Sequence, residues 1–329
     1  MSFKLNKILG AAFGGFLASG AVSVSAQEVL NFAHVYEVAT PYHEAALRAA
    51  KALEERTDGR YEIKVFPASS LGKEVAINEG LSLGTVDIIY TGVGFASRNY
   101  GPIAISDFPF TLRGYKHWEA YRSSDLFAEL SEGYKDASGN EILALTYYGA
   151  RQVTSNKPIL KPEDMKGLKI RVPNAPAYVL FPKETGANPT PLAFSEVYLA
   201  LQQGVVDAQE NPLPTIKFKK FYEVQSHINL TAHLVNSLVT VVSGSRMAAM
   251  SEEDRSTLKE VLQESAEWAS GEILHAENTL VEWFREQGVT VNEVDRQPFM
   301  DAVQPALLSS DMPWEPDVYK RMQAIPDAN

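Results

Sequence analysis

The chain has 329 residues, 45% hydrophobic and 22% charged, a globular balance that excludes a disordered, collagen-like or coiled-coil protein. With 30 Lys+Arg against 41 Asp+Glu the formal charge is −11 and no basic block stands out, so no nucleic-acid or anionic-membrane surface is expected. The absence of cysteine excludes disulfides, thiolate metal sites, iron–sulfur clusters and cysteine nucleophiles.

Lys4 and Lys7 precede an apolar, small-residue run from Ile8 to Ala21, and Val24-Ser25-Ala26 precedes Gln27. This is the plan of a cleaved signal peptide over 1–26. The run is interrupted by Gly14, Gly15 and Gly20 and falls short of the roughly 20 apolar residues of a membrane span. Loss of Lys4 and Lys7 takes the formal charge from −11 to −13. With no cysteine at the cleavage point to carry a lipid, the mature chain is expected free in the periplasm.

Beyond residue 27 strands alternate with helices. Val29–His34 reads as a strand, Thr40 and Pro41 open a helix to Arg56, and Gly59 ends it. Tyr61–Phe66 alternates as a strand, Lys73–Leu83 is a helix stopped by Gly84, and Val86–Tyr90 is an apolar strand. This βαβαβ order predicts a parallel sheet. A loop-rich stretch over 99–111 and helical segments over 115–130 lead to the strand Ile142–Tyr148, which runs into Gly149-Ala150-Arg151. A second α/β unit follows: strand Lys169–Val172, helix Pro176–Thr185, helix Ser195–Gln203 and strand Val205–Ala208. Ser251-Glu252-Glu253-Asp254 then caps a helix whose apolar residues recur at three- and four-residue spacing to Gly288, as one helix or as two broken near Gly271. If unbroken, it is long enough to brace two domains.

Enzyme signatures are missing: there is no G-x-S-x-G, P-loop, G-x-G-x-x-G, H-E-x-x-H or EF-hand loop. His227 and His233 have no carboxylate or cysteine at ligand spacing, so no metal or cofactor is expected, and Glu54/Glu55 and Glu252/Glu253 read as solvated helix faces. Arg151 and Arg171 each stand at a strand end, where ligands bind in open parallel sheets, and a guanidinium there offers a planar fork to a carboxylate. An internal partner such as Glu210 accounts for either arginine equally well.

From Gly149 the chain reads G-A-R-Q-V-T-S-N-K-P-I, then K-P-E-D-M-K-G-L-K-I-R-V-P-N, then G-A-N-P-T-P-L-A-F-S-E-V-Y-L-A-L-Q-Q-G-V-V-D-A-Q-E-N-P. With the earlier T-x-G-R-x-x-I-x-V-F-P-A-S-S-L-G and Phe108-Pro109-Phe110, this closely resembles the DctP-type solute receptors of TRAP transporters over nearly the whole mature chain. The resemblance implies that Arg171 of K-I-R-V-P forms the salt bridge to the ligand carboxylate. Asn211 of Q-E-N-P hydrogen-bonds the same end, and Arg151 is a second ligand-facing arginine. It further suggests Asn174 and Phe194 as lining residues, and Glu74 and Gly92 on the opposite domain; His34 and Tyr148 are expected at the same site. Sialic-acid receptors of this kind carry an acid where Gly92 stands, so that ligand is disfavoured.

The fold implied is α/β, a two-lobed periplasmic binding protein with a ligand cleft between lobes and a long bracing helix. Lobe one is expected over 27–148 and 237–276 and lobe two over 149–236 and 277–329, with Gly149 as a hinge. The function implied is capture of an organic acid, without cofactor, by a monomer that delivers it to the small and large membrane subunits of a permease. A hexuronate-like sugar acid fits Glu74, because a pocket acid repels a second carboxylate but accepts from hydroxyls. A C4-dicarboxylate or 2-oxo acid is the alternative, with a periplasmic sugar-acid enzyme or a sensory binding module as more distant readings.

Overall fold

The computed structural model describes residues 27–328; the expected signal peptide over 1–26 lies outside the described residues. Nine strands are β1 (Glu28–Ala33), β2 (Tyr61–Phe66), β3 (Ile88–Gly92), β4 (Glu141–Ser155), β5 (Lys169–Val172), β6 (Asn188–Pro191), β7 (Ala208–Pro212), β8 (His227–Val242) and β9 (Thr290–Glu293). They pair in the order β2-β1-β3-β8-β4-β7-β5-β6, with β9 also on β8. Two parallel groups, β2-β1-β3 and β7-β5-β6, flank the antiparallel pair β4 and β8, whose 15 and 16 residues run through both lobes. The carboxyl ends of both parallel groups therefore meet at one cleft. Val241 and Val242 of β8 and Ile88 of β3 lie in the main apolar core, while Val197, Ile216, Phe221 and Phe284 form a second core in the lobe of β5–β7.

The βαβαβ start holds, and Thr40 caps the helix Pro41–Arg56 by accepting from His43 N. Several expected boundaries shift: the strand expected over 86–90 lies at Ile88–Gly92, and the helix expected over 195–203 is a 3-10 turn, Phe194–Glu196, followed by a helix, Val197–Gln202. The strand expected over 205–208 begins at Ala208, because the parallel ladder with β5 starts at Ile170↔Ala208 and Val205 still lies in the turn after Gly204. The strand expected to end at Tyr148 continues as β4 to Ser155, passing Gly149 at φ +116° with a register shift against β8 on either side. The helical stretch over 176–185 is a 3-10 turn, Pro176–Val179, followed by a helix, Leu180–Glu184.

The last helical pattern is one helix, Glu252–Glu286, unbroken at Gly271. Ser251 accepts from Asp254 N, and three acids in the first turn suit the positive end of the helix dipole. Its apolar residues from Leu258 to Ile273 join the main core, whereas Leu280 and Phe284 join the second, so it braces both lobes. Seven-residue spacing puts Gln263, Ser270 and Glu277 on one face, and this face caps the part of the β4 edge that no strand covers. Gln263 donates to Leu143 O at 3.1 Å, Ser270 Oγ accepts from Tyr147 N at 2.9 Å, and Glu277 accepts from Ala150 N at 2.6 Å. Fourteen helical residues rise about 21 Å and seven strand residues about 23 Å, so the two rows stay in step. Among the described residues no helix is long and apolar enough to cross a membrane.

Candidate functional site

Arg171 on β5, Asn211 on β7 and Arg151 on β4 sit on neighbouring strands, and the pairings Arg171↔Gln209, Gln152↔Asn211 and Arg151↔Pro212 bring all three to the cleft. An inner cavity of about 30 Å³ is lined by Tyr36, Glu74, Gly92, Phe95, Tyr148, Arg151, Arg171, Tyr178, Phe194 and Asn211, among others. It adjoins a larger cavity of about 300 Å³ that shares Glu74, Phe95, Arg171 and Phe194 and adds Lys73, Asn174 and Glu196. A roomier groove of about 480 Å³ lies between the helices Asp125–Ser138 and Glu252–Glu286, but its walls hold no buried polar atom without a partner among the described residues. The cleft does.

That atom is Arg171 Nη1. The side chain is 2% exposed, and its Nε and Nη2 both donate to Leu192 O, at 3.0 and 2.7 Å. Nη1 is buried without a partner among the described residues. Burial pushes the Arg171 pKa down to about 10, which leaves it charged at neutral pH. The P-L-A-F turn thus does two jobs: its Leu192 carbonyl fixes the guanidinium, and its Phe194 supplies an apolar wall with Lys219 Nζ 5.0 Å from the ring centroid.

Arg151 has the internal partner that the sequence left open. Its Nε and Nη2 engage both carboxylate oxygens of Glu210, Nη2 also donates to Glu210 O at 2.7 Å, and Nη1 donates to Asn236 Oδ1 at 2.8 Å. Burial opposes both charges, but their mutual attraction wins, raising the pKa of Arg151 and lowering that of Glu210. His233, one of the two histidines noted in the sequence, also touches Glu210 through Nε2 at 3.2 Å. Arg151 therefore faces the cavity with its charge already balanced.

Asn211 donates to Gln209 Oε1 at 2.6 Å, and Tyr148 accepts from Thr215 at 2.9 Å; burial pushes the Tyr148 pKa up to about 12. Across the cleft Glu74 Oε1 accepts from Thr91 Oγ1 and Gly92 N at 3.0 and 2.8 Å, while Oε2 takes no donor among the described residues. Burial raises its pKa, partly countered by those two donors. Asn174 is exposed at the outer cavity, and its carbonyl accepts from Arg98 Nη2 at 2.7 Å. His34 lines neither cavity: it is buried against His43, Nε2 to Nδ1 3.2 Å, and burial with that neighbour pushes its pKa down to about 3. It sits among aromatic rings one layer back because β1 ends at Ala33 and the chain folds over it at Tyr36.

Sequence reasoning passed over Tyr36, Phe95, Asp107 and Tyr178. Tyr178 donates to Asp107 Oδ2 at 2.7 Å from the opposite lobe, and Asp107 also accepts from Gly94 N and Asn236 Nδ2. An aromatic in a helix-like stretch and an acid in an irregular one carry no distinguishing pattern, so only the cross-lobe geometry reveals the pair.

Residues 32–310 match the family model described as bacterial extracellular solute-binding protein, family 7. The chain is 35% identical over 287 residues to the sialic acid-binding periplasmic protein SiaP of Vibrio cholerae, covering 87% of this chain and 89% of that one. A solute-binding protein of a TRAP system from Roseobacter denitrificans, solved with bound L-galactonate, superposes with a TM-score of 0.85 at 31% identity over 91% of this chain and 99% of that one. Another from Sulfurospirillum deleyianum, solved with bound succinate, superposes with a TM-score of 0.84 at 27% identity over 92% and 100%. Each of these matched proteins is described as binding an organic acid.

Proposed function

The chain belongs to family 7 of the bacterial extracellular solute-binding proteins, and from that premise we propose that it captures a singly charged sugar acid in the periplasm and hands it to a TRAP-type permease. One observation carries the reading: Arg171 is buried, charged and held by one carbonyl, with Nη1 unpartnered at a cavity between lobes. A ligand carboxylate supplies the missing acceptor and neutralises the charge. Asn211 and Tyr148 stand beside it, Phe194 offers a face to a carbon skeleton, and Glu74 Oε2 is placed to accept from hydroxyls at the far end. Because Glu210 already balances Arg151, Arg171 is the cavity's one unbalanced positive charge among the described residues, which favours one carboxylate over two. Nor does the cavity leave space for an acid in place of Gly92, where an added Cβ falls 2.8 Å from Tyr178 Oη. The acid that sialic-acid receptors of this kind carry at that position is therefore not accommodated, which supports a ligand other than sialic acid.

A C4-dicarboxylate is the second reading, kept by the succinate held in the Sulfurospirillum protein. Titration of hexuronates, aldonates, succinate and malate into wild type and Glu74→Gln separates the two. A hydroxylated monoanion should bind more weakly to the variant, since an amide is a poorer acceptor than a carboxylate, while a dicarboxylate should bind as well or better. Tighter wild-type binding of succinate or malate than of any sugar acid overturns the sugar-acid reading.

A further inference from the structure

Tyr178 occupies a position that lining a cavity does not require. It follows β5 in one lobe, yet its ring packs on Phe95 of the other, in a small core with Val172, Ala175 and Leu234. It lies against the backbone of Gly92-Val93-Gly94: an added Cβ at Gly92 meets its Oη at 2.8 Å, and one at Gly94 meets its ring at 2.9 Å. Neither glycine has the positive φ that by itself demands glycine, so the space is what matters. The two positions form a slot shaped for one phenol ring.

At the end of the slot waits a built acceptor. Asp107 is fully buried and receives Gly94 N at 2.9 Å, Tyr178 Oη at 2.7 Å and Asn236 Nδ2 at 2.7 Å. The first of these comes from its own lobe and the last from Asn236, where the shared strand β8 passes between the lobes; Tyr178 is the donor that reaches it from a part of the opposite lobe outside the shared strands. Asn236 in turn accepts from Arg151, whose guanidinium lies 5.1 Å from the Tyr178 ring centroid. The slot is tied to the cavity on its other side too, since Gly92 N donates to Glu74. If the lobes part, Asp107 loses the Tyr178 donor, and its carboxylate must find another partner or be rehydrated.

We propose that Tyr178, seated in the Gly92–Gly94 slot and bonded to Asp107, is the latch of the closed state, a positioning residue that sets how long a ligand stays enclosed. This rests on the ligand-binding reading above only in that closure encloses the acid held by Arg171. The latch itself belongs to the lobes.

The absence of cysteine permits a direct test. Spin labels at Leu83→Cys and Leu199→Cys, exposed positions on opposite lobes, report the inter-lobe distance with and without each acid of a hexuronate, aldonate and dicarboxylate panel. Tyr178→Phe keeps the ring and should lower the closed population and speed release of the bound acid about ten- to a hundredfold, as expected for losing a hydrogen bond to a charged acceptor. Gly94→Ala should hold the lobes apart. Adding Tyr178→Ala to Gly94→Ala should restore approach of the lobes, a rescue that generic damage to the fold does not produce. Equal closed populations in wild type, Tyr178→Phe and Gly94→Ala, at saturating acid or in its absence, overturn the latch. Failure of every panel acid to bind wild type, with the latch variants still shifting the ligand-free distances, overturns the sugar-acid reading and leaves the latch standing.

Discussion

A guanidinium enclosed with one nitrogen unpartnered is the most informative residue in the chain, because proteins rarely leave such a donor buried and empty. Arg171 meets that description and Arg151 does not. Arg171→Ala should therefore weaken acid binding by on the order of 2 to 5 kcal/mol, the cost of burying a carboxylate without its charged partner. Arg171→Lys should recover little, since the fork that both grips Leu192 O and presents Nη1 is lost. Calorimetric titration checks both, and near wild-type affinity in the alanine variant contradicts the assignment. The K-I-R-V-P and Q-E-N-P runs make Arg171 and Asn211 legible in the sequence because they bring resemblance to a family as well as strand-end position. The G-A-R-Q run marks Arg151 but says nothing of its bonds to Glu210, which depend on the β4–β7 register. His34 ends up behind Tyr36 for a similar reason: a strand-end residue points to the cleft or away from it according to where pairing stops, and no local pattern fixes that.

At the scale of elements, the regular units with sharp stops were the readable ones. Thr40, Pro41 and Gly84 bound their helices as expected, and Ser251 opens a helix of 35 residues. β6, Asn188–Pro191, escapes because two of its four residues are proline, which β6 accommodates as an edge strand. β8 escapes because Asn229, Thr231, Asn236, Ser237 and Thr240 are buried polar residues spread along a strand that neither alternates nor runs apolar. The long helix is legible as a brace but not as the cap of an open strand edge, and its Glu277 gives that cap a measurable signature. Glu277 accepts from Ala150 N and from Tyr147 Oη at 2.7 Å beside Gly149, and burial pushes its pKa from 4.5 up to about 7. Between those values the native state holds a proton that the unfolded chain has released, so stability from this group is greatest at low pH and declines as pH rises from about 4.5 to about 7. Over that window the decline is roughly 3 kcal/mol at one pKa unit per 1.36 kcal/mol. In Glu277→Gln this contribution should vanish, so that urea unfolding at pH 5 and pH 8 shows a wild-type-minus-variant difference that changes by about that amount. A pH-independent difference refutes the role.

At the scale of the whole molecule, the two lobes share β4, β8 and the long helix, and the main core runs from one lobe into the other through contacts such as Phe110 on Phe181. We propose the hinge at Gly149, with the lobes divided at 148/149, 236/237 and 276/277, because this residue takes φ +116° on β4 between two register shifts against β8. Two ion pairs span the cleft rim. Lys73 pairs with Glu196, both about half exposed, and Lys219 Nζ lies 2.7 Å from Glu37 with the lysine 14% exposed and also over Phe194. The closer bond is not what should decide their relative worth; solvent is. An exposed pair is screened and contributes about 0.2 to 1 kcal/mol, whereas a lysine drawn out of water next to an aromatic face is screened less and is left poorly solvated when its partner is removed. Glu37→Gln should therefore speed release of the bound acid more than Glu196→Gln does, by a margin that persists in 0.5 M salt. The Glu196→Gln effect, at most about fivefold, should fade to nothing there. Stopped-flow release of the acid at low and high salt measures both, and equal, equally salt-sensitive effects would mean that the lobes are held together at the rim by general charge attraction and not by the placement of Lys219 beneath Phe194.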